Sequence, residues 1–504
     1  MMNLSKYQIA IKDFVIHGKG DAVIEATAGS GKTTTAVMCA QLVAQSNVLM
    51  LAFNKHIAEE LGRRIPEATS ATIHSIGMKT VGAGLRKRLK VSVGKYPKLV
   101  RKFTRTIEDT AEQREAFKCI EALVNFSRLT LTDLRDIDAV IRMAHLYHIE
   151  NLSTDYIKAA RSIIEEGKNM AVYGGEIDFT DQIWLPYHLD LQPPQKYDHV
   201  FCDEAQDLNQ AQLELVLKLR SPGGRILFFG DRSQAIQGFA GANTDSIDKI
   251  LSRTRATQLP LSICYRCPKK HIEIAKAIDP RIEAFDGNPE GEVIEIEPHE
   301  ITKLTGIGDL IVSRKTAPLV SLCLKLIASD VPARVRGRDI AAKLVGTLEE
   351  ISSLPGFEFK LFTSFLDSWR DARVDKLRRK DCSESLIETI TDIAECLDVC
   401  YMNFPASSVS DLASRIEGIF DDYKAAIWLS TVHRAKGLEA DNVFVLEYDR
   451  FPYSWRKMND SDYQQERNIH FVAVTRAKQK LYTVKEQVVK LNQDSVTNNK
   501  VEVF

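Results

Sequence analysis

The chain has 504 residues, with 67 Lys and Arg against 68 Asp and Glu, so its formal net charge is −1. At roughly 150 residues per domain, this length predicts about three domains. The hydrophobic share of 44% excludes a disordered tail, a collagen-like chain and a disulfide miniprotein. No run approaches the length of a membrane helix, so no membrane partner is expected. Nine scattered cysteines favour reduced thiols and therefore a cytoplasmic location, or a nuclear one in a eukaryotic cell.

Short apolar runs alternate with helical patterns in two parts of the chain. The strands predicted in the first part are 22–24, 48–53, 199–202 and 225–229. Those predicted in the second part are 310–312, 426–429 and 443–446. Two helix-rich stretches interrupt these parts, at 77–177 and at 340–423. The alternation predicts an α/β fold with two parallel sheets, each interrupted by a mainly helical insert.

A glycine-rich loop, Gly-Ser-Gly-Lys-Thr at 29–33, lies between the first predicted strand and a helical pattern. Glycines let backbone N–H groups curl around phosphate oxygens, and a helix N-terminus adds partial positive charge. Lys32 would reach the β- and γ-phosphates of a nucleotide, and the hydroxyl of Thr33 would hold Mg²⁺. The strict pattern has Gly where this chain has Ala26. The complete strand–loop–helix context nevertheless favours a phosphate site over a plain glycine-rich turn.

An acidic group follows the predicted strand at 199–202. Asp203 would hold Mg²⁺ directly or through water, and Glu204 would act as general base on the attacking water. Alone, such a group is usually a solvated loop. Its combination with the phosphate loop favours phosphoryl transfer instead.

These motifs, with several others in the same order, resemble superfamily 1 helicases of the UvrD/Rep type, and are most similar to the helicase part of F-box DNA helicases. The resemblance implies two RecA-like domains that bind ATP and Mg²⁺ in the cleft between them. It places domain 1A, with the ATP-binding loop, at 1–76 and 178–262, and domain 2A at 263–339 and 424–504. It places insert 1B at 77–177 and a short insert 2B at 340–423. Only seven residues precede Gln8, so we expect no F-box.

The resemblance assigns further residues to the ATP site. Gln8 would read adenine, Tyr265 would stack on it, and Glu439 would meet the ribose. Gln234 would sense the γ-phosphate, while Arg266 and Arg476 would act as arginine fingers. The catalytic set is Lys32, Asp203, Glu204, Gln234, Arg266 and Arg476. The cofactor-binding set is Gln8, Ala28, Gly29, Ser30, Gly31, Lys32, Thr33, Thr34, Tyr265 and Glu439.

The same resemblance assigns eight residues to single-stranded DNA. They are Phe53, Asn54, Lys55, Thr72, His74, Phe239, Thr431 and His433. Phe53 and Phe239 are candidates for base stacking, which contributes about 1–3 kcal/mol per base, although each could instead be an ordinary core residue. The chain has Gln237 and Ala240 where the family usually has Tyr and Arg, so stacking in that stretch rests on Phe239.

Two further patterns admit two interpretations each. Segment 86–105 holds nine Lys and Arg and no Asp or Glu. It would either follow a phosphate backbone, with salt-dependent affinity, or form a solvated helix face. Cys264 and Cys267 have a zinc-like spacing, but no second pair accompanies them, which favours two incidental thiols beside Arg266.

The resemblance implies an ATP-dependent DNA helicase or translocase that moves 3′→5′ on single-stranded DNA in replication, repair or recombination. Expected partners are single-stranded DNA and its junctions with duplex, with replication or recombination proteins as candidates and the chain taken as a monomer. The short 2B insert leaves open an ATPase that strips recombinase or other proteins from DNA with little unwinding. A non-catalytic subunit of a defence complex is another alternative, against which the intact Lys32, Glu204 and Arg266 argue.

Overall fold

The structure is a computed structural model, which describes residues 4–236, 245–379, 384–422, 426–455 and 458–485. The strands in these ranges are β1 (Ala22–Ala26), β2 (Val48–Ala52), β3 (Thr69–Thr72), β4 (Lys90–Val91), β5 (Glu176–Ile177), β6 (Tyr197–Cys202), β7 (Arg220–Gly230), β8 (Thr257–Leu261), β9 (Ile263–Cys264), β10 (Glu283–Ala284), β11 (Glu292–Ile296), β12 (Leu310–Ser313), β13 (Ala333–Val335), β14 (Ile427–Thr431), β15 (Ala440–Val445) and β16 (Ala477–Val484).

Helices make up most of the remaining regular structure. They are α1 (Lys6–His17), α2 (Lys32–Leu42), α3 (Lys55–Arg64), α4 (Ile73–Leu85), α5 (Lys95–Thr104), α6 (Thr110–Thr130), α7 (Ile137–Leu146), α8 (Thr154–Gly174), α9 (Phe179–His188), α10 (Gln210–Lys218), α11 (Ser246–Thr254), α12 (Lys269–Ile278), α13 (Ile301–Leu304), α14 (Ala317–Ala328), α15 (Arg338–Ser352), α16 (Phe362–Arg379), α17 (Glu384–Asn403), α18 (Val409–Ile419), α19 (Val432–Ala435) and α20 (Asp460–Val474). Among the described residues, no helix is both long and apolar enough to span a membrane.

Contacts between residues divide the chain into two compact units. The first consists of Met1–Glu290, Asp367–Thr391 and Pro452–Arg476. The second consists of Gly291–Leu366, Asp392–Phe451 and Ala477–Phe504. The predicted domain boundaries follow a family scheme rather than contacts, and they stay a prediction.

The first unit is built on a six-stranded sheet in the order β3-β2-β6-β7-β1-β8, with every pairing parallel. Neighbouring residues of β1 face opposite sides: Ile24 joins one buried hydrophobic cluster, and Val23 joins another. Because helices cover both faces of such a sheet, its central strands β1 and β2 are mainly apolar and are visible in the sequence as short apolar runs. The outer strands β3 and β8 carry polar residues, and the sequence analysis did not predict them.

The chain between β3 and β6 forms α4 to α9 and the two-residue strands β4 and β5, which pair in parallel. Helices α5 to α8 enclose a hydrophobic cluster of their own. Helix α8 begins after Ser153, whose hydroxyl accepts the N–H of Tyr156 at 3.2 Å. It ends before Gly175, where the φ of +71° suits glycine.

The second unit contains a six-stranded sheet in the order β11-β16-β15-β12-β14-β13, again with every pairing parallel. Between β13 and β14 the described chain forms the helices α15 to α18. The predicted fold class is therefore confirmed: an α/β protein with two parallel sheets, as expected for two RecA-like domains.

Parallel strands end at the same edge of their sheet, where ligands usually bind. In the first unit, β1 leads into the phosphate loop, and β2 leads into Phe53. Strand β6 leads into Asp203, and β7 leads into Asp231. The topology thus collects the predicted motifs of this unit along one edge of its sheet.

Candidate nucleotide and nucleic-acid site

The phosphate loop connects the end of β1 to the start of α2. Gly29 and Gly31 have left-handed φ angles of +67° and +78°, which glycine adopts without strain. A Cβ atom at position 29 would lie 2.8 Å from the Sγ of Cys264 and 2.8 Å from the Cβ of Arg266, so only glycine fits there. Helix α2 follows Gly31, which provides no side-chain cap. Its first-turn N–H groups therefore form a site for an anion.

The other predicted loop residues surround this turn. Ala28 and Ser30 are buried, whereas Thr34 is exposed on the first turn of α2. The side-chain amide of Gln8 donates to the hydroxyl oxygen of Thr35, also on α2, at 3.2 Å. The structure thus brings Gln8 to the helix that begins at the loop.

A lysine and two carboxylates form the charged centre of the site. The Nζ of Lys32 lies 2.5 Å from the Oε1 of Glu204 and 3.5 Å from the Oδ1 of Asp203. Burial acts to lower the pKa of Lys32, but these carboxylates outweigh it and raise the pKa above its usual value. Burial raises the pKa of Asp203, and the charge of Lys32 opposes this shift. Lys32 is therefore a cation at neutral pH.

Thr33 and Asp203 bring two oxygen ligands together. The hydroxyl of Thr33 donates to the Oδ2 of Asp203 at 3.0 Å. Asp203 follows the last residue of β6, and its Oδ1 accepts the backbone N–H of Glu204 at 2.9 Å. Oxygen ligands of this kind, completed by water and phosphate oxygens, suit Mg²⁺. The pair fits the predicted metal site.

Glu204 occupies a left-handed conformation, with φ of +54°, which is uncommon for a residue with a side chain. Its Oε2 accepts a hydrogen bond from the amide of Gln206. The Oε1 of Gln206 in turn accepts the backbone N–H of Asp231 at 2.9 Å. Gln206 therefore joins the candidate base to the end of β7. The sequence analysis gave Gln206 no role, although its place two residues after Glu204 is a usable signal.

The turn after β7 carries Gln234. The side-chain amide of Gln234 donates to the Oδ2 of Asp231 at 2.6 Å. Burial raises the pKa of Asp231 to about 6, against the opposing effect of that hydrogen bond. Gln234 is therefore connected to Glu204 by a chain of hydrogen bonds through Asp231 and Gln206. Phe239 lies outside the described residues.

Tyr265 and Arg266 lie against the phosphate loop. The backbone N–H of Tyr265 donates to the carbonyl of Gly29 at 2.9 Å. Tyr265 is 37% exposed, and the centroid of its ring lies 5.0 Å from that of Phe285. The structure thus places both predicted residues beside the predicted phosphate site and leaves one aromatic ring accessible.

Arg476 lies just beyond the end of α20 and is 1% exposed. Its guanidinium donates to the carbonyl of Val472 at 2.9 Å and to the hydroxyl of Thr475 at 3.0 Å. The pKa of Cys267 is lowered to about 6, first by a hydrogen bond from Cys264 and then by the nearby charges of Arg266 and Arg476. Both arginines therefore lie near the buried thiol of Cys267, which follows β9.

Three predicted residues belong to the second unit. Thr431 is the last residue of β14, and His433 is half-buried in α19. Burial, followed by the charges of Arg314 and Arg434, lowers the pKa of His433 to about 3, so its ring is neutral at pH 7. Glu439 is exposed, and its carboxylate lies 3.0 Å from the ammonium of Lys478.

The predicted DNA residues of the first unit follow β2 and β3. Phe53 is 48% exposed, which excludes the interpretation of this residue as core. Lys55 is exposed on the first turn of α3. Asn54 accepts the N–H of residue 57 at 2.9 Å, and Thr72 accepts the N–H of residue 75 at 3.2 Å. Both side chains therefore cap helices, α3 and α4 respectively.

His74 and Phe179 form an aromatic pair at the starts of α4 and α9. Their ring centroids lie 6.4 Å apart at an interplanar angle of 75°. Burial lowers the pKa of His74. Phe179 is 54% exposed, and the sequence analysis did not select it. A usable signal in the sequence was its aromatic side chain two residues after the predicted 1B insert.

The basic segment 86–105 separates into two groups. Lys95 is buried and lies 2.6 Å from Asp181, so it belongs to neither predicted interpretation. The other eight cations are exposed, and they are Arg86, Lys87, Arg88, Lys90, Lys98, Arg101, Lys102 and Arg105.

Comparison with known proteins gives family matches and relatives. Residues 9–254 match the family described as UvrD/REP helicase N-terminal domain, and residues 426–484 match the UvrD-like helicase C-terminal domain. F-box DNA helicase protein 1 of Schizosaccharomyces pombe is 23% identical over 494 residues, which cover 91% of this chain and 55% of that protein. F-box DNA helicase 1 of Gallus gallus is 26% identical over 496 residues, with coverages of 90% and 46%. The chain spans about half the length of these two relatives.

A bacterial relative matches a shorter part of the chain. The ATP-dependent DNA helicase PcrA of Leuconostoc citreum is 30% identical over 252 residues. The match covers 45% of this chain and 33% of that protein.

Proposed function

Because the chain belongs to the UvrD/Rep helicase family, we propose that it hydrolyses ATP to drive movement along single-stranded DNA. The resemblance inferred from its motifs is confirmed, whereas the activity, substrate and partners of this chain are proposals. The observation that carries the proposal is the cluster of Lys32, Thr33, Asp203 and Glu204 where β6 ends and α2 begins.

The start of α2 would bind the phosphates of ATP through its first-turn N–H groups and Lys32. Thr33 and Asp203 would hold Mg²⁺, which when bound neutralises charge on the β- and γ-phosphate oxygens. The side chain of Gln8 is hydrogen-bonded to α2, and the backbone of Tyr265 is hydrogen-bonded to the phosphate loop. These two side chains would contact the adenine.

We expect ATP to separate Lys32 from Glu204. The negative phosphates compete with the carboxylate for the ammonium, which now lies 2.5 Å from Oε1. Once released, Oε1 can accept a proton from the attacking water, while Gln206 retains its hydrogen bond to Oε2. The salt bridge to Lys32 would thus prevent Glu204 from acting as a base until the nucleotide binds.

Arg266 and Arg476 would neutralise charge that develops on the transferred phosphoryl group. Arg266 is fixed beside the loop through the hydrogen bond from Tyr265 to Gly29. Arg476 donates to the end of α20, so its guanidinium would have to exchange these acceptors for phosphate oxygens.

DNA would lie along the edge that carries Phe53, His74 and Phe179. Exposed aromatic rings stack on any base, which suits a protein that moves along DNA of varied sequence. The eight exposed cations of the basic segment would bind phosphates and make the affinity fall with salt. The proposed 3′→5′ direction rests on the family alone.

The proposed function is tested by the ATPase rate in the presence of single-stranded DNA, duplex DNA or RNA. We expect single-stranded DNA to stimulate hydrolysis most, and Lys32→Ala to abolish it with every nucleic acid. A wild-type protein without DNA-stimulated hydrolysis would contradict the proposal.

Duplexes with a 3′ or a 5′ single-stranded tail test the direction of movement. We expect displacement only from the 3′-tailed substrate. Efficient removal of a recombinase filament with little strand displacement would instead support the protein-stripping activity.

A further inference from the structure

A buried asparagine on α20 holds the turn that carries Gln234. Asn468 is 1% exposed. Its Nδ2 donates to the carbonyls of Arg232 and Ala235, both at 3.0 Å. Its Oδ1 accepts a hydrogen bond from Gln464, one turn earlier on the helix, at 2.9 Å. Because both turn partners are acceptors, the amide orientation is determined by the network.

The same helix leads to the second candidate arginine finger. Arg476 follows α20 by two residues, and its guanidinium donates to the carbonyl of Val472 on that helix. Asn468 therefore connects the turn of Gln234 to the helix that positions Arg476. These residues all belong to the first compact unit.

On its other side, the turn is linked to the candidate base. Gln234 donates to Asp231, whose backbone N–H donates to Gln206, and Gln206 donates to Glu204. Hydrogen bonds and one helix thus form a continuous connection from Glu204 to Arg476. In this connection, the hydrogen bonds of Asn468 join the turn to helix α20.

We propose that Asn468 is a positioning residue for ATP hydrolysis: it sets the position of Gln234 relative to Arg476. The inference rests on the proposed function, because Asn468 can affect hydrolysis only if Gln234 and Arg476 have the roles proposed for them. Asn468 would act only through them and would not touch the nucleotide. Its loss should therefore affect the chemical step more than ATP binding.

The test is Asn468→Ala, with Asn459→Ala as a matched control on the same helix. Asn459 caps α20 through a hydrogen bond from the N–H of Asp462, so its loss weakens the helix without touching the turn. We expect Asn468→Ala to lower the kcat of DNA-stimulated ATPase by about tenfold, since two hydrogen bonds are lost. The KM for ATP should change by less than about threefold, and Asn459→Ala should retain most of the kcat.

A double-mutant cycle with Gln234→Ala separates positioning from a general defect. If Asn468 acts through Gln234, its removal should cause little further loss of kcat in that background. Equal kcat losses in Asn468→Ala and Asn459→Ala, or fully additive losses in the cycle, would overturn the proposal.

Amide hydrogen exchange gives a readout that does not depend on ATPase activity. The N–H groups of Gln234 and Ala235 donate to carbonyls within the turn at 3.0 and 3.2 Å. We expect Asn468→Ala to accelerate their exchange by about tenfold. Unchanged exchange in Asn468→Ala would overturn the inference. If the variant shows the acceleration but the wild-type protein has no ATPase activity, the proposed function fails, while the positioning of the turn by Asn468 stands.

Discussion

Replacing Lys95 by methionine should destabilise the first unit strongly. Its Nζ lies 2.6 Å from the Oδ2 of Asp181, and both side chains have 0% exposure. Methionine retains most of the volume but removes the charge. Arg128 would then be the cation that remains paired with Asp181, and it also binds Asp178 through both of its terminal nitrogens.

The structure sets the size of this effect. Removing one partner of a buried ion pair typically costs about 3–5 kcal/mol. The hydroxyl of Tyr96 still donates to Asp181 at 2.9 Å, and Arg128 still donates at 3.1 Å. Burial also raises the pKa of Asp181, so protonation offers a second way to limit the loss. We therefore expect Lys95→Met to lower the free energy of unfolding by about 3 kcal/mol, the lower end of this range.

Urea unfolding, followed by tryptophan fluorescence and circular dichroism, measures the change. Lys98→Met is the matched control, because Lys98 lies on the same helix and is exposed. It should change the free energy of unfolding by less than about 0.5 kcal/mol. The double variant Lys95→Met/Asp181→Asn should be more stable than Lys95→Met, since no uncompensated carboxylate remains. Equal losses for Lys95→Met and Lys98→Met would refute the reasoning.

Three further predictions concern the candidate site. Glu204→Gln should bind ATP but not turn it over, and rapid hydrolysis by this variant in a phosphate-release assay would remove Glu204 as the base. Arg266→Ala should lower kcat by about 100-fold or more, with a smaller change in KM, and equal changes in steady-state kinetics would argue against a finger. The pKa of His433 is about 3 in the folded chain against 6.5 ordinarily, so the unfolded chain binds more protons between these values. The free energy of unfolding should therefore fall as the pH drops through this window, and His433→Gln should flatten that dependence in melting temperatures measured from pH 7 to pH 4.

Local sequence was sufficient to predict the parts of the site that lie within one strand–loop–helix segment. The phosphate loop was predictable because Lys32 and Thr33 follow glycines directly at the start of a helix. The acidic strand end at Asp203 was predictable because this residue directly follows a short apolar run. The pairing of Lys32 with Glu204 was not stated in advance, because it joins segments far apart in the chain.

Residues that depend on distant partners escaped prediction. Lys95 looks like one more cation of a basic segment, and only its contact with Asp181 shows it to be buried. Asn468 has a polar side chain on a helix, and only the carbonyls of the turn after β7 reveal its partners. Such contacts are determined by tertiary packing, which local sequence patterns do not encode.

Asn54 and Thr72 cap helices α3 and α4, and this affects the interpretation of DNA-binding measurements on variants at these two positions. Alanine at either position would remove a helix start together with any contact to nucleic acid, so weaker DNA affinity could simply reflect a frayed helix. Asn54→Ser and Thr72→Ser keep an oxygen that can accept the first-turn N–H while altering the outward surface. At these two positions, serine rather than alanine is therefore the informative substitution.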